Sequence, residues 1–83
     1  MSHTYILFSE KLNKYYIGST TDLERRLIDH NRSKEKFTSL GVQWILVYNE
    51  AFELLKDARK RELYIKKQKS RIFIENLIKR SVG

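Results

Sequence analysis

Hydrophobic and polar positions change period along the chain, and each change marks an element. Thr4 to Phe8 and Tyr15 to Ser19 are dense in β-branched and aromatic residues, with a polar segment containing Asn13 between them. That pattern predicts a β-hairpin. Leu23, Leu27 and His30 then recur at helical spacing, with Arg26 beside them. Ser19, Thr20 and Thr21 lead into this helix; Thr21 with Glu24 has the form of a capping box, and Asp22 falls in the first turn, where the helix dipole favours a carboxylate. Asn31 and the polar stretch 32 to 39 end it. Gly41 precedes a third strand, Trp44 to Glu50. A long helical pattern follows from Glu53 to Lys69, with Leu55, Ala58 and Ile65 as its apolar stripe. Ser70 is placed to cap a last short helix in which Phe73, Ile74, Leu77 and Ile78 face inward. The order β-β-α-β-α-α predicts an α+β fold, a three-stranded antiparallel sheet covered by helices in two layers.

Glu62 breaks the stripe of the long helix. It lies four residues after Ala58 and three before Ile65, so a carboxylate sits where an apolar side chain belongs. A buried carboxylate is costly unless paired or bound to a metal. Periodicity leaves both readings open: Glu62 pairs with a lysine or arginine at the stripe's edge, or it does chemistry.

Composition narrows the rest. The 83 residues are room for a single domain spanning 1–83, with no proline, linker or repeat to divide them. Having no cysteine excludes disulfides and thiolate metal sites and fits a reducing compartment. His3 and His30 alone make a histidine-based zinc site a poor expectation. The opening MSHTYILFSEKL has no basic n-region and too short an apolar run for a signal peptide. Nothing approaches the roughly 20 apolar residues of a membrane span, so a cytoplasmic protein is expected.

The net charge of +7 is unevenly placed. Residues 1 to 53 carry seven Lys/Arg and seven Asp/Glu; residues 54 to 83 carry ten and three, which is the whole excess. A polyanionic partner follows, nucleic acid being the commonest.

At this point the motifs resemble a known family. "TYIL", then "YYIGST-TDLERRLIDHN", "WILVYNEAF" and "ARKRELYIKKQKSR" resemble, in order and over nearly the whole chain, the GIY-YIG endonuclease superfamily. They are most similar to its small stand-alone members, which are related to the nuclease domain of the bacterial excision-repair incision enzyme. Tyr5 matches the tyrosine of the first motif, and Tyr16, Ile17 and Gly18 complete the second. Arg26 matches the helix arginine, His30 falls where members carry histidine or tyrosine, and Glu62 matches the glutamate that holds a divalent metal. His3 and Thr4 replace the glycine and isoleucine of the first motif, Ser19 stands where some relatives have lysine, and a late asparagine is not evident.

The resemblance implies a metal-dependent endonuclease that hydrolyses phosphodiester bonds in DNA, branched or structured DNA included. Its implied catalytic residues are Tyr5, Tyr16, Arg26, His30 and Glu62, with Glu62 holding one Mg²⁺ or Mn²⁺. Tyr16 is the implied general base, Arg26 the phosphate holder, and Tyr5 and His30 orient water or phenol. Alternate strand residues face opposite ways, so only one of Tyr15 and Tyr16 can reach a given site. Gly18 reads as a close-packing glycine. Lys60, Arg61, Lys66, Lys67, Lys69 and Arg71 surround Glu62 in sequence and are expected to draw the phosphate backbone without reading bases. A protein partner could then supply specificity. Two other readings stay open: a catalytically weak or inactive nucleic-acid-binding module of the same fold, and a small basic accessory protein for RNA or a ribosomal particle.

Overall fold

The computed structural model describes residues 1–32 and 43–82. Six elements form, in the order read from the hydropathy pattern: β1 (Ser2–Ser9), β2 (Lys14–Thr20), α1 (Leu23–Asn31), β3 (Ile45–Phe52), α2 (Leu55–Lys67) and α3 (Arg71–Val82). The result is an α+β fold around one antiparallel sheet of order β2-β1-β3. Among the described residues no helix is long and apolar enough to cross a membrane.

β1 is the central strand, and its middle residues Thr4, Tyr5, Ile6 and Leu7 are buried. Their alternation divides the helices between the two faces of the sheet. Tyr5 and Leu7 join Trp44 on one face, where Leu23 and Leu27 of α1 and Tyr16 of β2 pack. Ile6 joins Ile17 and Ile65 on the other, under α2 and under Phe73, Ile74 and Leu77 of α3. Tyr15 and Tyr16 accordingly separate, one to each face.

The hairpin turns at Asn13, whose φ of 53° lies in the left-handed region that asparagine tolerates. Arg71, at the start of α3, ties that turn down: it donates to the Asn13 carbonyl at 2.8 Å and to its side-chain oxygen at 2.6 Å.

Local details differ from the pattern at the helix ends. Asp22, not Thr21, caps α1: its Oδ1 accepts from the Arg25 amide at 3.1 Å. Thr20 Oγ1 accepts the Asp22 amide at 3.0 Å, so the chain enters the helix one residue later than a Thr21 capping box requires. α2 starts at Leu55 instead of Glu53, with no side-chain cap at Leu54. Ser70 does cap α3, accepting the Phe73 amide at 3.1 Å. Most of the polar stretch 32 to 39, and Gly41, lie outside the described residues.

Candidate active site

The site begins with a gap in a side-chain row. Tyr5 stands directly opposite Gly18 in the β1–β2 ladder. A Cβ on Gly18 would lie 2.5 Å from the Tyr5 hydroxyl oxygen and 2.6 Å from the ring carbon that bears it. Real carbons do not approach so closely, so only glycine lets the phenol lie across β2 toward the outer edge of the sheet.

There the hydroxyl meets α1. It shares a 3.0 Å hydrogen bond with Nε2 of His30, and both residues are only 1% exposed. Arg26 lies one turn earlier on α1, and its guanidinium favours the ionised form of the Tyr5 hydroxyl. In the Tyr5–His30 bond either group can donate, according to the tautomer of His30. The capped start of α1 sets this arrangement, because Asp22 fixes where the turn carrying Arg26 and His30 begins.

Burial pushes the Tyr5 hydroxyl above its ordinary value; Arg26 pulls it back in part, while the nearby Tyr16 and Glu62 add to the rise. Tyr5 is thus a protonated donor at neutral pH. Tyr16 completes the cluster: its ring centre is 4.7 Å from that of His30 and 6.4 Å from that of Tyr5. Unlike Tyr5, Tyr16 keeps partial access to solvent.

Glu62 extends from α2, on the other face, to β2. Ser19 points to the α2 side, and its hydroxyl donates to Glu62 Oε1 at 2.6 Å. The Lys66 ammonium sits 2.6 Å from Oε2. The side chain is 18% exposed, so the carboxylate is neither in bulk solvent nor sealed away. Its charge adds the smallest part of the rise at the Tyr5 hydroxyl.

The donor set can be tested against a divalent metal. No cluster of three or more His, Cys, Asp or Glu is present among the described residues. A magnesium-type ion does not need one, since it binds through one or two carboxylates and keeps several waters. Oε2 of Glu62 already holds a cation, the Lys66 ammonium, at 2.6 Å. A hard cation on the single Glu62 carboxylate would therefore take the place of the Lys66 ammonium.

One end of the Glu62 clamp was legible in the chain, as the pairing with a lysine or arginine; the other was not. Lys66 is one helical turn on, so the i,i+4 spacing signals the pair, which a charge count treats only as part of a basic surface. Ser19 is 43 residues away and carries no local signal. His3 adds a third feature: its Nδ1 is buried with no hydrogen-bond partner among the described residues.

The basic residues around Glu62 are not equivalent. Arg61 is 3.1 Å from Glu50 Oε2, and Glu50 also accepts from the Tyr48 hydroxyl at 2.8 Å. Lys66 is held by Glu62, and Arg71 is 3.3 Å from Glu75 while its guanidinium lies 5.0 Å from the Tyr15 ring centre. Lys60, Lys67 and Lys69 are exposed.

Known proteins resemble this chain over most of its length. The profile of the family described as GIY-YIG catalytic domain matches residues 1–76. UPF0213 protein YazA of Bacillus subtilis (strain 168) is 32% identical over 78 residues, covering 89% of this chain and 79% of that protein. UPF0213 protein SH2523 of Staphylococcus haemolyticus (strain JCSC1435) is 37% identical over 65 residues, 77% of this chain and 79% of the relative. Among solved structures, the solution NMR structure of UPF0213 protein BH0048 from Bacillus halodurans is similar at a TM-score of 0.56 and 33% identity. It covers 95% of this chain and 84% of its own.

Proposed function

The chain belongs to the GIY-YIG catalytic domain family, a family of nucleases that act on DNA, and we propose that it is itself a metal-dependent DNA endonuclease. The observation that carries this reading is the position of Glu62. A half-buried carboxylate, oriented by Ser19 and already holding a cation, lies at the rim of a cluster of two phenols, a guanidinium and an imidazole.

Each group has a task in phosphodiester hydrolysis. Arg26 binds the phosphate through a permanently charged planar fork, which lysine does not reproduce. Tyr5, kept protonated by burial, accepts from His30 Nε2 and so keeps its own proton for a phosphoryl oxygen or the attacking water. Tyr16 takes the proton from that water. His30 fixes Tyr5 through its 3.0 Å hydrogen bond and packs against Tyr16, holding the two phenols in register. Glu62 would hold Mg²⁺ or Mn²⁺ once Lys66 swings away. When bound, such a cation supplies Lewis-acid stabilisation of the developing negative charge.

The test is plasmid cleavage in Mg²⁺ or Mn²⁺ by the parent and by Glu62→Gln. The variant should lose about a hundredfold or more, since metal stabilisation is worth several kcal/mol and each ~1.4 kcal/mol is tenfold. Undiminished cleavage would remove the metal role. One observation supports a second reading, a DNA-binding module without turnover: both Glu62 oxygens are already satisfied by Ser19 and Lys66. Salt-sensitive DNA retention with no nicking in any divalent metal is its signature.

A further inference from the structure

Next to Glu62, the outer flank of β2 and the facing parts of α2 and α3 enclose an open cavity of about 770 Å³. Its apolar lining comes from Tyr15 and Ile17 of β2, Ile65 of α2 and Ile74 of α3, together with Leu12 of the hairpin turn and Trp44 ahead of β3. Ile17 and Ile65 belong to the buried core, which makes the floor rigid. The rim is cationic: Lys14, Lys66, Lys69 and Arg71 line it, with no aspartate or glutamate among the described lining residues. Arg71 is partly balanced by Glu75 from outside and is held in place by its bonds to Asn13.

Such a cavity asks for a ligand with a flat apolar part and an anionic part. A nucleotide has both. Paired in a duplex its base is hidden; unpaired, the base can lie on the floor while its phosphate stays on the rim. The cavity is also linked to Glu62 through one residue. Lys66 belongs to both, lining the cavity while its ammonium touches Glu62 at 2.6 Å. Along β2 the alternate residues Ser19, Ile17 and Tyr15 share one face; the first holds Glu62, and the next two form floor. The floor therefore begins one strand repeat, about 6.6 Å, from the anchor of the carboxylate.

From this juxtaposition we infer that the cavity is a binding site for an unpaired nucleotide beside the scissile phosphate. The enzyme thereby selects DNA with a single-stranded flap, loop or end. The inference rests on the nuclease reading for its purpose but not for its chemistry, and the two are separable by experiment.

The full chain is titrated without divalent metal and followed through backbone amide signals. One probe is a thymidine pentanucleotide. A second is a pentamer of the same charge with abasic sites in place of nucleosides, and a third is phosphatidylglycerol vesicles. The thymidine pentamer should shift the amides of Tyr15, Ile17, Lys69 and Ile74 and bind about fivefold or more tightly than the abasic one, the least that stacking one base contributes. Equal affinity for the two pentamers, or response to vesicles alone, overturns the proposal. Ile74→Trp fills the cavity and should weaken the thymidine pentamer about fivefold. Should it not fold, Lys14→Glu on the exposed rim should weaken the same probe severalfold, and unchanged affinity there counts against the site. Glu62-dependent cleavage with those amides unmoved would sink the cavity and leave the nuclease. Binding at those amides with no cleavage in any metal would do the reverse.

Discussion

Tyr5 shows how far single residues could be read. Its place in a strand, and the separation of Tyr15 from Tyr16 to opposite faces, follow from the two-residue period. The close packing at Gly18 was legible as well, although its partner was not. That partner, the Tyr5 hydroxyl, is specified by strand register, and register is a tertiary property. The same limit hid the bond between Tyr5 and His30, 25 residues apart. Burial gives Tyr5 a measurable signature. Its hydroxyl titrates above the ordinary phenol value of 10.0, so above that pH the unfolded chain binds fewer protons than the native one. The slope of stability against pH is then negative: the contribution is complete below about pH 10 and is lost as pH rises through the folded value. Tyr48, raised by burial and by its bond to Glu50, adds to the same fall. Urea unfolding between pH 8 and about 11 should show the parent losing stability and Tyr5→Phe losing less. Parallel curves for the two would show that the phenol is not held protonated by its surroundings.

The order and type of the six elements were legible because the hydrophobic period switches cleanly between strand and helix. Their ends were less so. Strands run longer than their apolar cores because ladder pairing carries Ser2 and Ser9 along with the buried residues between them. The α1 cap moved by one residue because the Thr20 hydroxyl, which no spacing rule weighs, takes the Asp22 amide and commits Asp22 to the cap. This matters for function, since α1 positions Arg26 and His30. Asp22→Ala should destabilise the protein by about 1 kcal/mol, whereas Thr21→Ala should be nearly silent in thermal unfolding. The reverse ranking would restore the capping box at Thr21.

The whole molecule sets a tyrosine cluster on one face of the sheet and a carboxylate from a helix on the other, and β2 serves both, through Tyr16 on the first and Ser19 on the second. The charge excess of +7, concentrated after residue 53, was plain in the sequence. Its internal use was not. Of six basic residues around Glu62, Arg61, Lys66 and Arg71 are engaged by Glu50, Glu62 and Glu75. Replacing Lys60, Lys67 and Lys69 together by alanine should therefore take about 3 from the magnitude of the log–log salt slope of duplex binding. Fluorescence anisotropy between about 50 and 200 mM salt reads this directly. The central claim is that the two sides of the sheet act as one catalytic centre, and a mutant cycle tests it most directly. Cleavage rates are measured for the parent, Tyr16→Phe, Glu62→Gln and the double variant. Groups that act as a unit do not lose activity additively, so the double variant should be about as slow as the slower single one. Losses that multiply, or a Glu62→Gln enzyme as fast as the parent, would contradict a shared centre at the β2 edge.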